Sequence, residues 1–260
     1  MRVALGQIDV KWKQEEENKN KCEEFIKKAV ENKADLIVFP EMTLTGVSNN
    51  IAYLSKVSED SVKFFKNMTS KYNINICFGY AKPYEDKCKN NLLVLSSDGE
   101  ELAEYTKIHP FSFAGEDKYF EPGCELQFFE LKDTTLSTFI CYDLRFPEIF
   151  QAASKKASAL IVIANWPKPR REHWISLLKA RAIENQCYVI AVNRVGDVKG
   201  IIYSGDSMVI DPLGNVLKES FEKEELIICD IEPEKVEKVR VKFPLKNDRK
   251  EEFYAKLFTE

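Results

Sequence analysis

Histidine is scarce in this sequence, and the cysteines are not clustered. Only two of the 260 residues are histidines, His109 and His173, and the seven cysteines include no CxxC spacing. Zinc sites usually combine closely spaced Cys and His ligands, so a zinc site here would need distant residues to converge. We therefore expect neither a metal nor a cofactor.

Long apolar runs are also absent. No run approaches the roughly 20 apolar residues of a membrane span, and the apolar part of MRVALGQIDVKWKQ is too short for a signal peptide. The cysteines are odd in number, in a chain too long to depend on disulfide bridges, which favours reduced thiols. These absences predict a cytoplasmic protein that does not enter membranes.

Charge of one sign is not in large excess. The 38 Lys and Arg residues against 42 Asp and Glu residues give a formal net charge of -4, and the basic residues are scattered. Nothing here indicates a nucleic-acid surface. Linkers rich in Pro, Gly or Ser are absent too, so residues 1–260 are expected to form a single domain.

What the sequence does contain is an alternation of strand-like and helix-like segments. Its first half gives RVALGQI (strand), NKCEEFIKKAVENKA (helix), DLIVFPE (strand), SEDSVKFFKNMTSKYN (helix) and INICFGY (strand). A helix from Pro147 to about Lys155, the strand ALIVIAN, the helix REHWISLLKARAIENQ and the strand CYVIAVNRV follow later. Hairpins are predicted around Asp98-Gly99 and around Pro212-Leu213-Gly214.

This alternation predicts an α/β fold with more than one sheet. A mixed sheet that carries helices on one face leaves its other face uncovered, so a second sheet should pack against it. Two sheets between two helical layers form the simplest arrangement that buries all the apolar faces. We therefore expect a four-layer α-β-β-α sandwich.

Three reactive side chains stand at the ends of predicted strands. Glu41 follows DLIVFP, Lys107 ends ELAEYTK, and Cys141 follows the apolar run TLSTFI. Taken singly, each has an ordinary structural explanation: a cap or surface charge, a lysine at a strand end, and a small buried thiol. Active sites of layered α/β proteins lie beyond strand ends, however, so the three could share one cleft.

A thiol, a carboxylate and an ammonium are the groups that acyl transfer needs. Cys141 can attack a carbonyl carbon, and a helix N-terminus or a nearby cation would favour its thiolate. Glu41 can accept the thiol proton, return it to the leaving amine and then activate water. Lys107, together with backbone N–H groups near Tyr142, can stabilise the oxyanion.

These segments resemble the nitrilase superfamily of carbon-nitrogen hydrolases. LIVFPEM, YTKIHPF and ICYDLRFPE match its Glu, Lys and Cys segments in chain order, and the similarity continues through EDKYFEPG, ANWPKPRREHW, RAIENQCYVIAVNRVG and SGDSMVIDPLGNV. The resemblance implies a Glu41, Lys107 and Cys141 triad, the four-layer sandwich and usually a homodimer. It also implies a second glutamate, mapped onto Glu116, that would position the lysine and the substrate amide.

The charged residues around Cys141 have a structural interpretation. We expect Asp143, Arg145 and Glu148 to hold the turn after the nucleophile rather than to touch substrate, because a buried charge must be paired. Tyr142 offers a backbone N–H to the oxyanion, whereas its ring could equally belong to the core.

The residues after the cysteine bear on the reaction. Nitrile-hydrolysing members of the superfamily typically carry Trp-Glu there, whereas Tyr142-Asp143 resembles the amidase branches. ANWPKPRREHW and RAIENQCYVIAVNRVGD look most like the ω-amidase group, which hydrolyses the side-chain amide of the 2-oxo acids derived from glutamine and asparagine. The resemblance thus implies hydrolysis of 2-oxoglutaramate or 2-oxosuccinamate, with release of ammonia through a cysteine thioester.

Such a substrate carries a distal carboxylate, which an arginine would bind through two hydrogen bonds. Arg170 and Arg171 follow ANWPKP and are the candidates, Arg170 first, although either could equally begin a solvated helix. Asn165 and Trp166, at the end of the strand ALIVIAN, are expected to form a wall of the cleft, unless Trp166 is ordinary core.

Three alternatives stay open. The chain could be another amidase of the superfamily, acting on N-carbamoyl compounds or on a deaminated thiol peptide. It could be a catalytically silent interaction module, although the presence of all three triad residues argues against this. It could also be a hydrolase that pairs Cys141 with His109 or His173.

Overall fold

The computed structural model describes residues 1–257 and 259, and its helices and strands alternate as expected. The strands are β1 (Arg2–Gln7), β2 (Leu36–Val38), β3 (Asn75–Tyr84), β4 (Lys87–Leu95), β5 (Glu101–Thr106), β6 (Phe128–Leu131), β7 (Thr134–Ile140), β8 (Ala159–Ala164), β9 (Tyr188–Asn193), β10 (Val195–Val198), β11 (Ile201–Ile210), β12 (Val216–Phe221) and β13 (Glu225–Asp230). The helices are α1 (Glu15–Glu31), α2 (Ile51–Tyr72), α3 (Pro147–Ala153), α4 (Arg171–Asn185), α5 (Pro233–Lys242) and α6 (Glu251–Leu257).

The strands form two mixed sheets. The first has the order β13-β1-β2-β3-β4-β5, and the second has the order β10-β11-β9-β8-β7-β6, with β12 added on β11. Strands β1, β2 and β3 are parallel to one another, as are β7, β8 and β9. The β4–β5 and β11–β12 pairs confirm the two hairpins predicted from the sequence.

The two sheets pack face to face between helical layers. Val3 and Leu36 belong to a buried cluster that includes residues of β7, β8 and β9, whereas their neighbours Ala4 and Ile37 belong to a cluster with α1 and α2. Side chains alternate between the faces of a strand, so each sheet has an inner and a helix-covered face. Helices α3 and α4 pack on the second sheet, for example through Trp174. The fold is therefore the expected four-layer α-β-β-α sandwich.

Two helices begin earlier than the sequence pattern predicted. Helix α1 starts with three consecutive glutamates, Glu15, Glu16 and Glu17, where carboxylates interact favourably with the helix dipole. Helix α2 starts at Ile51 because the Asn50 side chain accepts a hydrogen bond from the backbone N–H of Tyr53 at 3.0 Å.

Among the described residues, no helix combines the length and the apolar composition that crossing a membrane requires.

The carboxyl ends of four strands meet in one region. Strand β5 is antiparallel to β4, and β4 is antiparallel to β3, so β5 runs in the same direction as β2 and β3. Glu41 follows β2 and Lys107 directly follows β5 in the first sheet, while Cys141 directly follows β7 and Asn165 directly follows β8 in the second. The sandwich thus brings these residues together from distant parts of the chain.

Candidate active site

A cavity of about 350 Å³ lies where these strand ends meet. It contains the side chains that the sequence indicated for a site, except the second arginine candidate Arg171, and further residues from the surrounding loops. The lining residues are Glu41, Val47, Asn49, Lys107, Phe111, Phe113, Ala114, Glu116, Cys141, Tyr142, Arg145, Asn165, Trp166, Pro167, Arg170, Ile201 and Tyr203.

Cys141 lies at a sharp turn between a strand and a helix. It directly follows β7 and begins a short 3₁₀ turn, Cys141–Arg145, that leads into α3. Its φ of 47° lies in the left-handed region, which is unfavourable for a side chain with a Cβ. Local strain of this kind persists only where the surrounding structure enforces it, and it is common at functional sites. The half-buried thiol therefore sits on a backbone that its neighbours must hold in place.

Asp143 supplies the contacts that hold this turn. Its carboxylate is fully buried and accepts hydrogen bonds from the Ile140 N–H at 3.1 Å, the Tyr105 hydroxyl at 2.8 Å and the His109 N–H at 3.0 Å. Tyr105 and His109 stand on either side of Lys107 in the chain. Asp143 thus ties the turn that carries the cysteine to the segment that carries the lysine, in agreement with the sequence interpretation.

Arg145 and Glu148 do not hold the turn in the same way, and that expectation was wrong for both. Arg145 lines the cavity, with its guanidinium 4.7 Å from the ring centre of Trp166 and 3.4 Å from Nδ1 of His173. Glu148 is exposed in the first turn of α3. The local sequence shows that the turn carries charged side chains, but it does not show whether each side chain points into the turn, into the cavity or into solvent.

Glu41 is buried, and four donor contacts hold its carboxylate. Oε1 accepts from Nδ2 of Asn90 at 2.7 Å and from Nζ of Lys107 at 3.2 Å, and Oε2 accepts from the N–H of Asn165 at 2.9 Å and from its Nδ2 at 3.3 Å. Strand β3 can approach this segment only because residue 79 is glycine, since a Cβ on Gly79 would lie 2.7 Å from the Glu41 Cα. The orientation of Glu41 is therefore fixed from several sides.

Lys107 lies between two carboxylates. Its Nζ is 2.8 Å and 3.0 Å from the two oxygens of Glu116, and the Phe111 N–H donates to the same carboxylate at 2.6 Å. Burial disfavours the ammonium of Lys107, but the charges of Glu41 and Glu116 outweigh this effect, and its pKa is raised above the ordinary value. Lys107 is thus a cation at neutral pH, and Glu116 is placed against it as the sequence resemblance implied.

The same surroundings keep the nucleophile protonated at rest. Burial raises the pKa of the Cys141 thiol well above its ordinary value, and the carboxylate of Glu41 raises it further, while Lys107 opposes this only in part. The cation Lys107 thus favours the thiolate as expected, but burial and the two carboxylates outweigh it and the pKa of the thiol stays raised. A base must remove the thiol proton, and Glu41 lines the same cavity.

Two arginines line the cavity without a carboxylate partner among the described residues. The Arg170 guanidinium lies 5.5 Å from the ring centre of Phe111, and Arg145 lies over Trp166. Arg171 differs, because its Nε donates to Oδ1 of Asp206 at 2.8 Å. Arg145 and Arg170 are therefore the guanidinium groups that an anionic ligand could meet.

Aromatic side chains form much of the remaining wall. Trp166 is 3% exposed and donates from Nε1 to the Arg170 carbonyl oxygen at 2.7 Å, so it is both a cleft wall and part of the core. The Tyr142 ring lies 4.8 Å from that of Phe111. Phe113 lines the cavity although it is 88% exposed, which places it at the mouth.

Sequence reasoning missed Asn90, the cavity position of Arg145, and the β10–β11 hairpin that carries Ile201 and Tyr203 to the cavity. The hairpin had a readable signal, a Lys-Gly pair at the turn 199–200 between two strand-like runs. Asn90 lies in the strand KCKNNLLVL with two lysines and a second asparagine, so it has no distinct signal in the sequence. Neither the hairpin nor Asn90 can be assigned to the cavity until the tertiary fold is known.

Neither histidine is among the described residues that line the cavity. Nδ1 of His109 lies 2.9 Å from the Asp143 carboxylate, and the His109 ring stacks on Phe146 with centres 3.7 Å apart. A pairing of Cys141 with histidine thus gains no support from the geometry. The described part of the chain also contains no cluster of three or more Cys, His, Asp or Glu side chains suited to a metal ion.

Comparison with known proteins finds relatives that cover nearly the whole chain. Residues 2–241 match the carbon-nitrogen hydrolase family. The 2-oxoglutaramate amidase of Bacillus subtilis (strain 168) is 35% identical over 258 residues, which cover 97% of this chain and 98% of the relative. The deaminated glutathione amidase of Dictyostelium discoideum is 33% identical over 274 residues, with coverages of 96% and 94%. The crystal structure of XC1258 from Xanthomonas campestris, a CN-hydrolase superfamily protein, is 30% identical with a TM-score of 0.89 and coverages of 96% and 97%.

Proposed function

The chain belongs to the carbon-nitrogen hydrolase family, and we propose that it hydrolyses the ω-amide of 2-oxo dicarboxylic acid monoamides such as 2-oxoglutaramate and 2-oxosuccinamate. In broad terms it is an amidase. One observation carries the finer proposal. A single cavity holds Glu41, Lys107 and Cys141 together with Arg145 and Arg170, two arginines without a carboxylate partner among the described residues.

Acylation begins from the neutral thiol. Glu41 takes the proton from Cys141 as the sulfur attacks the amide carbon, so that a C–S bond forms and the carbonyl oxygen becomes an oxyanion. The ammonium of Lys107 stabilises this charge. The N–H of Tyr142 is also available, because the first N–H groups of a helical turn have no acceptor within it. Glu41 then gives its proton to the nitrogen, the C–N bond breaks, and ammonia leaves.

Deacylation uses the same groups on water. The thioester on Cys141 is attacked by a water molecule that gives a proton to Glu41, and Lys107 again faces the oxyanion. Collapse of this intermediate breaks the C–S bond, and the proton on Glu41 returns to the sulfur. The products are a dicarboxylic 2-oxo acid and a regenerated thiol, and the step needs no other reactant.

The two arginines of the cavity are suited to bind the distal carboxylate of the proposed substrate. A guanidinium binds a carboxylate through two parallel, charge-assisted hydrogen bonds. Arg170 is the first candidate for this contact, and Arg145 is the second, because both line the cavity and neither forms a salt bridge among the described residues. A cavity of about 350 Å³ is at the small end for ligand sites, which suits a short acid amide.

Ammonia release over a panel of substrates tests the proposal. The panel contains 2-oxoglutaramate, 2-oxosuccinamate, N-carbamoyl amino acids, a deaminated thiol peptide and simple nitriles, with Cys141→Ala as the blank. We expect the two ω-amides to have the highest kcat/KM. A higher kcat/KM for an N-carbamoyl compound or for the thiol peptide would reject the substrate but keep the amidase class, and no turnover of any compound would favour a silent interaction module.

A further inference from the structure

Asn90 stands between the two carboxylates of the site. From strand β4 its Nδ2 donates to Oε1 of Glu41 at 2.7 Å and to Oε1 of Glu116 at 2.9 Å. The backbone carbonyl oxygen of Asn90 also accepts a hydrogen bond from the backbone N–H of Lys107 at 2.9 Å. The amide orientation follows from chemistry, because ionised carboxylates only accept hydrogen bonds and the NH₂ group must therefore face them. The neutral side chain of Asn90 thus contacts both acids, while its backbone is bonded to the residue that bears the cation.

The other end of the Asn90 side chain indicates that this placement is not made for stability alone. The residue is 2% exposed, and Oδ1 has no hydrogen-bond partner among the described residues. A buried polar atom without a partner costs free energy. A leucine of similar size would avoid that cost at this buried position but could not bridge the two acids.

We propose that Asn90 is a positioning residue that keeps Glu41 and Glu116 in a fixed relation while Lys107 changes its contacts during the reaction. This inference rests on the proposed acyl transfer to Cys141. When Glu41 accepts the thiol proton it loses its charge, and its 3.2 Å contact with Lys107 weakens, whereas the contacts of 2.8 Å and 3.0 Å from Lys107 to Glu116 remain. One N–H of the Lys107 ammonium then becomes free for the oxyanion.

The bridge from Asn90 persists through this exchange. An amide N–H can donate to a carboxylate and, after protonation, to the carbonyl oxygen of the carboxylic acid. Oε1 of Glu41 therefore keeps one donor when Lys107 leaves it, and the side chain stays aligned for returning the proton to the leaving nitrogen. Without Asn90, only the contacts from Asn165 to Oε2 would orient the Glu41 side chain at this step.

The next residue in the strand offers a matched control. Asn91 is 1% exposed, and its Oδ1 accepts the Thr106 hydroxyl at 3.0 Å instead of facing the acids. Asn90→Leu and Asn91→Leu are thus the same substitution at equal burial in one strand, with and without the contact to the carboxylates. Asn90→Ser is a milder variant that also removes the bridge, because its hydroxyl is too short to span both acids.

The experiment measures kcat and KM on the amide that the wild type hydrolyses best, and the melting temperature of each variant. Misplacement of a catalytic group can cost about 100-fold, so we expect kcat to fall roughly 10-fold to 100-fold in Asn90→Leu and Asn90→Ser. KM should stay within about twofold, because the bridge does not hold substrate. Asn91→Leu should lose stability but keep kcat. An unchanged kcat in Asn90→Ser, or an equal loss in Asn91→Leu, would overturn the proposal.

A second readout separates this proposal from the choice of substrate. Iodoacetamide alkylates the thiolate, and mass spectrometry gives the rate at Cys141 without any amide turnover. Removal of the thiol proton by a misaligned Glu41 should be slower, so Cys141 in Asn90→Leu should react more slowly than in Asn91→Leu. Equal rates would reject the role of Asn90, whereas failure of the wild type to hydrolyse ω-amides would reject only the substrate.

Discussion

Removal of the Arg170 side chain tests whether the substrate carries a distal carboxylate. Arg170 lines the cavity beside Phe111 and forms no salt bridge among the described residues. A charge-assisted hydrogen-bonded pair contributes about 1.5 to 3 kcal/mol, and the half-buried position of Arg170 favours the lower end because solvent screens the pair. Since about 1.4 kcal/mol corresponds to a factor of ten, Arg170→Ala should raise KM for 2-oxoglutaramate roughly tenfold.

The assay compares a charged with an uncharged amide. The pair with the carboxylate is made in the ground state and in the transition state alike, so kcat should be nearly unchanged and kcat/KM should fall as KM rises. Hydrolysis of propionamide, which has no carboxylate, should be unaffected. Arg171→Ala is the control, because Arg171 is bound to Asp206. Equal losses on both substrates would show that Arg170 is structural and direct the test to Arg145.

The remaining predictions concern the reacting groups and the turn. Cys141→Ala should fold normally without turnover, and the wild type with a slow amide should carry an acyl adduct on Cys141 and on no other cysteine. Glu41→Gln should lower kcat by about 10² to 10⁴ with little change in melting temperature. Since burial raises the pKa of the Cys141 thiol, its alkylation in Glu41→Gln should keep increasing with pH, and a plateau below pH 8 would contradict this. Asp143→Asn should lose both stability and kcat, whereas Asp211→Asn, which alters another buried turn, should lose stability alone.

The fold and the main reacting groups could be predicted because both leave local signals. Alternating apolar runs and helices fix the order of the layers, and a polar residue directly after a buried strand marks a strand end. Glu41 and Cys141 follow buried strands and Lys107 follows a half-buried one, and strands that run in the same direction bring their carboxyl ends to one edge. The resemblance to known segments then added Glu116, which stands in a loop and has no signal of its own.

Asn90 and Arg145 could not be predicted, because their roles depend on contacts between distant segments. Asn90 meets Glu41 and Glu116 only after β4 has paired with β3 and β5. Arg145 belongs to the same short turn as Asp143, yet one side chain enters the cavity and the other is fully buried beneath it. The raised pKa of the Cys141 thiol was missed for a related reason, since burial by the whole fold and the charge of Glu41 outweigh the charge of Lys107.

The arrangement of charge in the cavity also gives the substrate a direction. Glu41, Glu116 and Lys107 form a group of two carboxylates and one ammonium. The net negative charge of this group would repel a substrate carboxylate from the thiol. Arg145 and Arg170 carry the compensating charge on another part of the wall, over aromatic rings. An anionic amide in this field therefore places its carboxylate at the arginines and its uncharged amide at Cys141. The same field would repel the dicarboxylate product of the proposed reaction from Cys141, because the new carboxylate would form beside the two acids.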